Sequence, residues 1–363
     1  MVKKAMVMAA GVGSRLNPLT LGVPKPLITI ANQPLMDIII ALLVRSGIND
    51  IVANTHYLAD QIHRRYQPAK NNGFNINFVH EDKLSGTAGG LKKCEWFFRD
   101  EQTFMVISGD ALTDIDIKSF IKKHKESGSI ASMALKEIPF HNVNQFGVVV
   151  LDKSSRITGF QEKPALSEAK SNFVNTGIYL FEKEIFNYIP PNTFYDFGKQ
   201  VFPELLKENI PISGFKIDEY WNDIGTIEQY RLSSRDAISG KIEIDFLCAK
   251  KEFGWASNSA FISKKAIIKD RTVIGEGSII KEGAKFSGNC VIGKNCVIEE
   301  NAHIKNSVIW DNVVVSRGIE LDNCIVTDGV FLKRGINIAK GSVISNYALE
   351  DGLELITREE IAV

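Results

Sequence analysis

The last third of the chain repeats with a period of six residues, and this period limits what the segment can fold into. Apolar side chains occupy every sixth position, and two steps of five residues shift the register without ending the repeat. The repeating residues are Ile262, Ile268, Ile274, Ile280, Phe286, Ile292, Ile298, Ile304, Ile309, Val315, Leu321, Val326, Leu332, Ile338 and Ile344. A fixed short period is typical of a solenoid, in which each repeat buries its apolar face against its neighbours. Ordinary β-sandwich strands would not keep a six-residue phase over this length.

A second set of positions supports the same interpretation. Four places after each apolar residue stands a small or short side chain: Ala266, Thr272, Ser278, Ala284, Cys290, Cys296 and Ala302. Each hexapeptide then forms one flat side, and three sides close one triangular coil with the apolar residues stacked inside. The pattern predicts a left-handed parallel β-helix over residues 259–363.

The first part of the chain alternates strand and helix patterns. Expected strands are Ala5–Ala9, Asp50–Asn54, Asn75–Val79, Phe104–Ser108, Val148–Leu151, Ile157–Gln161 and Val174–Leu180, and expected helices are Pro34–Ser46, Leu58–Tyr66 and Ala88–Phe98. This alternation predicts an α/β domain with a Rossmann-like mixed, mostly parallel sheet over residues 1–235. Residues 236–258 are expected to connect it to the β-helix, and Arg231–Trp255 is expected to be a helix followed by a connector.

Composition excludes several functional classes. Lys plus Arg and Asp plus Glu both number 43, so the chain lacks the basic excess of a nucleic-acid-binding protein. No apolar run is long enough to span a bilayer. The five cysteines contain no CxxC pair and are expected to be reduced thiols of a cytoplasmic protein.

A glycine-rich loop follows the first expected strand. It reads Ala9-Ala10-Gly11-Val12-Gly13-Ser14-Arg15-Leu16, and Pro24-Lys25-Pro26-Leu27 follows closely. Glycines let backbone N–H groups approach an anion, and Arg15 and Lys25 add positive charge. The alternative is a tight turn with surface cations, but two cations and two prolines at fixed spacing favour a site for the phosphates of a nucleoside triphosphate.

This stretch resembles the signature of the sugar-1-phosphate nucleotidylyltransferases, and the resemblance extends over the whole chain because many such enzymes carry a C-terminal hexapeptide β-helix. It is most similar to the mannose-1-phosphate guanylyltransferase branch. The resemblance implies transfer of a nucleotidyl group from a nucleoside triphosphate to a sugar 1-phosphate, with Mg²⁺ as cofactor. In such a reaction Arg15, Lys25, Asp110 and Asp223 would be catalytic, and the nucleotide would contact Ala9, Ala10, Gly11, Gly13, Ser14, Arg15 and Lys25.

A second loop, Ser85-Gly86-Thr87-Ala88-Gly89-Gly90, opens an expected helix whose first N–H groups would be free. In the family this region holds the base, which makes Gly86 and Thr87 candidate nucleotide-binding residues. Glu81 occupies the position of the family's base-reading side chain. A carboxylate only accepts hydrogen bonds, and it matches the adjacent N1–H and N2–H donors of guanine. Glu81 therefore favours GTP, although a solvated glutamate at a strand end is the alternative.

Two acidic residues follow strand patterns at separate places. Asp110 ends the apolar stretch Phe104–Ser108, where ligands bind in α/β proteins, and Asp223 lies in Trp221–Thr226. Mg²⁺ prefers one or two carboxylates together with phosphate oxygens and water. The resemblance implies that Asp110 and Asp223 jointly hold this metal; taken alone, each would more often be a turn residue or a helix cap.

A last group is implied to hold the sugar phosphate: Gly147, Glu162, Lys163, Asn175, Thr176 and Gly177. Glutamate accepts bonds from sugar hydroxyls, lysine meets the phosphate, and the glycines let the backbone approach the ring. The alternatives are a strand-end turn at Glu162–Lys163 and a β-bulge at Asn175–Gly177.

Three further functions stay open. One is a nucleotidylyltransferase acting on UTP or dTTP with glucose 1-phosphate. Another is a catalytically silent subunit that binds an NDP-sugar and regulates a partner, although the phosphate loop and acidic pair are intact. The third is a bifunctional enzyme with an acetyltransferase β-helix, but His303 is expected to point outward and no long loop interrupts the coils. The flat faces and open coil ends favour a homo-oligomer, and no nucleic-acid or membrane partner is expected.

Overall fold

The computed structural model describes residues 2–67 and 73–347. By its internal contacts the chain divides into two compact units. The first comprises Met1–Val12 and Ile39–Asp223, and the second comprises Gly13–Ile38 and Ile224–Val363. The segment that carries Arg15 and Lys25 thus belongs to the same unit as the β-helix. The domain bounds expected from sequence place this segment within residues 1–235.

Helices and strands alternate over the first 240 residues. The strands are β1 (Lys4–Met8), β2 (Thr29–Ile30), β3 (Gln33–Pro34), β4 (Asp50–Thr55), β5 (Asn75–His80), β6 (Thr103–Ser108), β7 (Ala111–Thr113), β8 (Ala131–Glu137), β9 (Gly147–Leu151), β10 (Ile157–Glu162), β11 (Phe173–Glu182), β12 (Ile212–Lys216) and β13 (Trp221–Asp223). The α-helices are α1 (Leu19–Gly22), α2 (Leu35–Arg45), α3 (Ala59–Tyr66), α4 (Gly86–Lys93), α5 (Ile117–Ser127), α6 (Phe202–Lys207) and α7 (Ile227–Ser239). None of the described helices is long and apolar enough to cross a membrane.

The first unit is built on a mixed sheet with the strand order β10-β9-β11-β6-β1-β4-β5; β8 also pairs with β11, and β12 pairs with β8. Strands β6, β1, β4 and β5 are parallel, whereas β11 runs antiparallel to β6. The chain builds outward from β1 to β4 and β5, then returns to place β6 on the other side of β1. Ligands of α/β proteins bind at such a reversal, beyond the carboxyl ends of the strands. The predicted α/β fold is confirmed.

The second unit contains the β-helix, whose short parallel strands form three sheets. Its strands are β14 (Ala249–Lys251), β15 (Gly254–Ala256), β16 (Phe261–Ile262), β17 (Ile267–Ile268), β18 (Thr272–Ile274), β19 (Ile279–Ile280), β20 (Lys285–Ser287), β21 (Cys290–Ile292), β22 (Val297–Ile298), β23 (His303–Lys305), β24 (Val308–Ile309), β25 (Val314–Val315), β26 (Glu320–Asp322), β27 (Ile325–Val326), β28 (Phe331–Leu332) and β29 (Val343–Ile344).

Its register follows the predicted period. Ile274 pairs with Ile292, which lies one coil further along the chain. Ile274, Phe286 and Ile304 are completely or almost completely buried, because they stack inside the triangular coil. His303 alternates with buried Ile304 and lies beside Ser287 on the outer side, as expected. The left-handed β-helix is therefore confirmed over the described residues. Of the expected tail from Asn346 to Val363, residues 348–363 lie outside them.

Three expected elements differ from the structure. Pro34 does not begin a helix, because it pairs with Thr29 in the hairpin of β2 and β3. The helix expected over Ala88–Phe98 begins earlier, at Gly86, and ends at Lys93; a 3₁₀ turn, Glu95–Phe98, follows it. The connector expected to reach Trp255 ends sooner, since Trp255 already pairs with Val273 as part of the β-helix.

Candidate functional site

A cavity of about 280 Å³ opens in the first unit at the carboxyl ends of its parallel strands. Its lining residues are Met8, Ala10, Gly11, Asn54, Glu81, Leu84, Gly86, Thr87, Ser108, Asp110, Phe194 and Asp196. The strand order alone predicts a ligand site here, since β1 and β6 flank the reversal in topology. Six of these lining residues were predicted from three separate sequence motifs: Ala10, Gly11, Glu81, Gly86, Thr87 and Asp110.

The start of the glycine-rich loop is fixed by an asparagine from the neighbouring strand. The Ala9 N–H donates to Asn54 Oδ1 over 3.0 Å, and Asn54 is buried near the end of β4. A methyl group added at Gly11 would meet nothing within 4 Å, so the backbone there borders open space. The loop therefore presents its backbone to the cavity, as a phosphate-binding loop requires.

The rest of the loop belongs to the second unit. Gly13 has the left-handed φ of 73°, and an added Cβ would lie 3.1 Å from Lys25 Cβ, which makes glycine necessary at this close approach. Ser14 and Arg15 are exposed in a 3₁₀ turn, whereas Lys25 is buried. Gly13 and Lys25 thus lie close together, and the roles of Arg15 and Lys25 stay predictions.

Glu81 is placed differently from a base-reading side chain. Its carboxylate is buried and accepts hydrogen bonds on both oxygens: Asn54 Nδ2 donates to Oε1 over 2.7 Å, and Ser85 N–H donates to Oε2 over 3.0 Å. Ser85 Oγ also donates to Oε2, and Lys93 Nζ lies 3.3 Å from the same oxygen.

These bonds give Glu81 a structural explanation. It links the end of β4 to the loop before α4, and a Cβ at Gly90 would lie 3.1 Å from its Oε1. Bidentate recognition of guanine needs two oxygens that face the ligand, and here both are already engaged by the protein. This engagement counts against the sequence argument for GTP, and the base-reading role of Glu81 stays a prediction.

Two of the first four N–H groups of α4 are not free, although the sequence led us to expect free groups there. Those of Ala88 and Gly89 both donate to the Tyr195 carbonyl, over 3.0 and 2.9 Å. Thr87 Oγ1 donates to Asp196 Oδ2 over 2.9 Å and accepts from the Phe197 N–H over 2.9 Å. The turn at Tyr195–Phe197 thus closes the helix N-terminus and brings a carboxylate to the cavity wall.

The acidic pair comes together through the pairing of two short strands. Asp223 is opposite Ala111, the residue after Asp110, in the antiparallel pair of β7 and β13. Asp110 lines the cavity, and Ser108 Oγ donates to its Oδ1. The described residues contain no cluster of three or more His, Cys, Asp or Glu side chains that could hold a metal ion. One or two carboxylates are nevertheless a donor set that Mg²⁺ uses when substrate phosphates and water complete its coordination.

Gly147 and Glu162 are cross-strand partners of β9 and β10. A Cβ would lie 3.1 Å from Glu162 Oε2 if it were added at Gly147, and 2.8 Å if it were added at Gly198. Burial raises the pKa of the Glu162 carboxyl, and the neighbouring Lys163 opposes this shift. Lys163 follows with a left-handed φ of 47° and an exposed side chain. The predicted Glu–Lys pair therefore lies at a strand end, between two glycines that leave it room.

The Asn175–Gly177 motif forms a break in the pairing of β11 with β8, which is the bulge that the sequence left open. Asn175 Nδ2 donates to Tyr179 Oη and its Oδ1 accepts from the Gly177 N–H. Thr176 Oγ1 donates to the Ala134 carbonyl. These side chains shape the bulge. A Cβ added at Gly177 would lie 3.0 Å from the Cβ of Ser108, so the bulge approaches the end of β6 closely.

Sequence reasoning left six residues of the cavity wall out of the predicted site: Met8, Asn54, Leu84, Ser108, Phe194 and Asp196. Asn54 carries a usable signal, because a polar side chain near the end of a buried parallel strand is expected at a ligand site. Phe194 is 60% exposed, which is unusual for a large aromatic side chain. Asp196 had no local signal, since its partner Thr87 lies 109 residues away in the chain.

Comparison with known proteins agrees with this geometry. Residues 4–239 match the family described as nucleotidyl transferase. Residues 252–353 match the family described as the EIF2B subunit epsilon LbH domain, in agreement with the β-helix. A Bacillus anthracis crystal structure described as a glucose-1-phosphate thymidylyltransferase superposes with a TM-score of 0.60. It covers 68% of this chain and 97% of its own at 24% identity, and so supports the fold.

Two curated relatives differ in their named substrates. A UTP--glucose-1-phosphate uridylyltransferase of Synechocystis is 40% identical over 251 residues, or 66% of this chain and 64% of the relative. A mannose-1-phosphate guanylyltransferase of Mycobacterium tuberculosis is 29% identical over 237 residues, or 65% of each chain. The chain thus spans less than two thirds of the length of these relatives. With a family match over most of its length and a cavity where the fold predicts one, the chain belongs to the nucleotidyl transferase family.

Proposed function

We propose that this protein transfers a nucleotidyl group from a nucleoside triphosphate to a sugar 1-phosphate, forming an NDP-sugar and pyrophosphate. The observation that carries the proposal is the cavity lined by Asp110 and by the glycine-rich loop, together with the strand pairing that sets Asp223 opposite Ala111, the residue after Asp110. Membership of the nucleotidyl transferase family supports the reaction class. The named activities of both curated relatives belong to this class.

The chemistry needs positioning more than acid–base catalysis. A phosphate oxygen of the sugar 1-phosphate attacks the α-phosphorus in line, and pyrophosphate leaves. This nucleophile is already anionic, so the residues have to orient the reactants and neutralise charge. In the proposal Arg15 stabilises the departing β- and γ-phosphates, Lys25 contacts the phosphates near the reacting centre, and Lys163 orients the attacking phosphate. Asp110 and Asp223 would hold Mg²⁺, which supplies charge neutralisation to both substrates when bound.

Two pairs of nucleotide and sugar 1-phosphate are candidate substrates. GTP with mannose 1-phosphate was favoured by Glu81, but the engagement of both Glu81 oxygens counts against that argument. UTP with glucose 1-phosphate is supported by the 40% identity to a protein with that named activity. We therefore put UTP and glucose 1-phosphate first and keep GTP and mannose 1-phosphate as the second candidate.

Other expectations from the sequence stay part of this proposal. Residues 1–235 would be the catalytic domain, 236–258 a connector and 259–363 the β-helix with its tail. The five cysteines are free thiols, and a reducing, cytoplasmic setting stays part of the proposal. A homo-oligomer formed through the β-helix remains a proposal.

The test is pyrophosphate release with purified protein and Mg²⁺ across five nucleotides, GTP, UTP, dTTP, ATP and CTP, each with glucose 1-phosphate and with mannose 1-phosphate. Release with one pair supports the reaction and identifies the substrates. Absence of release from every pair contradicts the proposal for these sugars and favours the silent NDP-sugar-binding subunit, which calorimetry with the NDP-sugars would then detect.

Arg15→Ala separates catalysis from folding. We expect a loss of turnover of 100-fold or more, which is about 2.7 kcal/mol of transition-state stabilisation, with an unfolding midpoint close to that of the wild type. Arg64→Ala is the matched control, since Arg64 is an exposed residue of α3. Equal turnover in Arg15→Ala and wild type would contradict the assigned role.

A further inference from the structure

The segment Gly13–Ile38, which we call the cation segment, is tied at its hairpin to the rest of the second unit. Ala31 and Asn32 form the two-residue turn between β2 and β3 with left-handed φ values of 50° and 66°. From this turn Asn32 Nδ2 donates to the Ile292 carbonyl of the β-helix over 2.6 Å. Gln33 Nε2 donates to the Asp245 carbonyl over 2.6 Å. Both bonds anchor the hairpin to backbone atoms, which move less than side chains.

A buried relay of three groups makes a second connection. Trp310 Nε1 donates to Tyr230 Oη over 2.8 Å, and Tyr230 Oη donates to the Thr29 carbonyl over 3.0 Å. Tyr230 is completely buried, and burial raises the pKa of its phenol, which therefore stays protonated and able to donate. The relay joins a tryptophan of the β-helix, through α7, to the strand that begins four residues after Lys25.

A third connection lies near the end of the described chain. A Cβ added at Gly22 would lie 2.1 Å from the Tyr347 ring, so the ring packs directly on the backbone of α1. Tyr347 Oη lies 3.5 Å from Asp328 Oδ2, and Asp328 Oδ1 accepts from the Asp311 N–H. The rest of the second unit thus contacts the cation segment on both sides of Lys25: Tyr347 packs on Gly22, and Tyr230 of α7 bonds to Thr29.

We propose that Tyr230, Trp310 and Tyr347 are positioning residues that hold Arg15 and Lys25 for the triphosphate, so that the β-helix takes part in nucleotide binding. The proposal rests on the proposed function for its kinetic consequence. Its structural basis is independent, since the cation segment groups with the β-helix and not with the sheet that carries Asp110. None of the three side chains needs to touch a substrate.

The kinetic test compares the effect of each variant on the KM for the nucleoside triphosphate with its effect on the KM for the sugar 1-phosphate. Tyr230→Phe keeps the buried ring and removes both relay bonds, and Trp310→Phe removes the Nε1–H donor together with part of a buried ring system. We expect the KM for the nucleoside triphosphate to rise roughly ten-fold in Tyr230→Phe, equivalent to about 1.4 kcal/mol, with the KM for the sugar 1-phosphate within two-fold. Trp310→Phe should shift the same constant in the same direction.

Ser307→Ala is the matched control. It removes a buried hydroxyl of the β-helix that also makes two hydrogen bonds, to the Lys305 carbonyl and from the Cys324 N–H, neither of them to the cation segment. A general loosening of the β-helix would affect this variant as well. Equal changes in both Michaelis constants, or the same nucleotide effect in Ser307→Ala, would overturn the proposal.

Hydrogen exchange tests the positioning without any turnover. Amides of peptides covering residues 16–36 should exchange at least five-fold faster in Tyr230→Phe, while those of β6 keep the wild-type rate. Gly22→Ala should produce the same local change, because the added methyl group displaces the Tyr347 ring, and Tyr347→Ala should produce it by removing that ring. If the wild type lacks transferase activity, the proposed function fails and this readout still decides the inference. Unchanged exchange at residues 16–36 would refute it.

Discussion

The engagement of Glu81 yields a quantitative prediction about stability. Glu81→Ala removes the acceptor of four donors: Asn54 Nδ2, the Ser85 N–H, the Ser85 hydroxyl and Lys93 Nζ. The side chain of Lys93 is 34% exposed and can turn to water at little cost. The other three donors are largely buried, and each costs about 1–3 kcal/mol when it is left without a partner. Because the adjoining cavity can admit water to some of them, we expect a total loss of about 3–5 kcal/mol.

Glu81→Gln should cost less, about 2–3 kcal/mol. The amide keeps the carbonyl acceptor for Asn54 but presents an NH₂ group to the Ser85 N–H and to Lys93, which are themselves donors. The control is Asp82→Asn: its side chain is 99% exposed, so its effect should stay within about 0.5 kcal/mol. The free energies of unfolding of the Glu81 variants and of Asp82→Asn are measured by urea denaturation, followed by tryptophan fluorescence and far-UV circular dichroism.

The same variants decide between a structural and a base-reading role. If Glu81 is structural, kcat/KM in Glu81→Gln should fall for GTP and UTP by similar factors, because the loop before α4 is displaced for both nucleotides. Wild-type stability in Glu81→Gln, together with a switch of preference from GTP to another nucleotide, would refute this reasoning. It would restore the interpretation made from sequence.

Three further predictions concern the acidic pair, a buried histidine and the β-helix core. Asp223→Asn should lower Mg²⁺-dependent pyrophosphate release by 100-fold or more with little change in thermal stability; a normal rate with normal Mg²⁺ dependence would contradict the metal assignment. Burial lowers the pKa of His124 from its usual 6.5, with hydrogen-bonded Glu182 opposing the shift. Since the unfolded chain binds this proton more readily, stability should be full above pH 6.5 and fall as pH drops towards the folded pKa, with a slope of at most about 1.4 kcal/mol per pH unit. His124→Gln should flatten this part of a pH series of urea midpoints, and an unaltered slope would exclude His124 as its source. Phe286→Ala should destabilise the β-helix by about 3–5 kcal/mol, because a completely enclosed ring leaves a cavity. A thermal scan measures this loss, and a change below 1 kcal/mol would mean that the coils collapse around the gap.

The local sequence pattern was enough to predict most of the helices and strands and part of the candidate site. The six-residue period alone gave the coil and its buried residues, because a solenoid buries each side chain against the equivalent position one coil away. Asp110 and Gly11 were also found from sequence, since both follow apolar strands whose carboxyl ends meet at one edge of a parallel sheet. Asp223 needed the family resemblance, because its short strand has no recognisable pattern of its own.

Tertiary structure decided what each polar group does with its hydrogen bonds. The sequence shows a carboxylate at Glu81 but not the donors that surround it, which come from β4, from the loop before α4 and from α4 itself. The sequence shows a helix start near Gly86 but not the Tyr195 carbonyl, which accepts hydrogen bonds from the N–H groups of Ala88 and Gly89. A hydrogen bond is satisfied by whatever lies within about 3 Å, and distant segments supply those partners here.

The grouping of segments has the same origin. Read along the chain, Arg15 and Lys25 belong to the first strand and its loop, yet their segment packs with α7 and the β-helix. Order along the chain determined which residues could bind phosphate, because composition and spacing fix local chemistry. Only the folded contacts of Thr29, Asn32 and Gly22 decided which body holds them, because burial and hydrogen bonding join residues without regard to their separation in sequence.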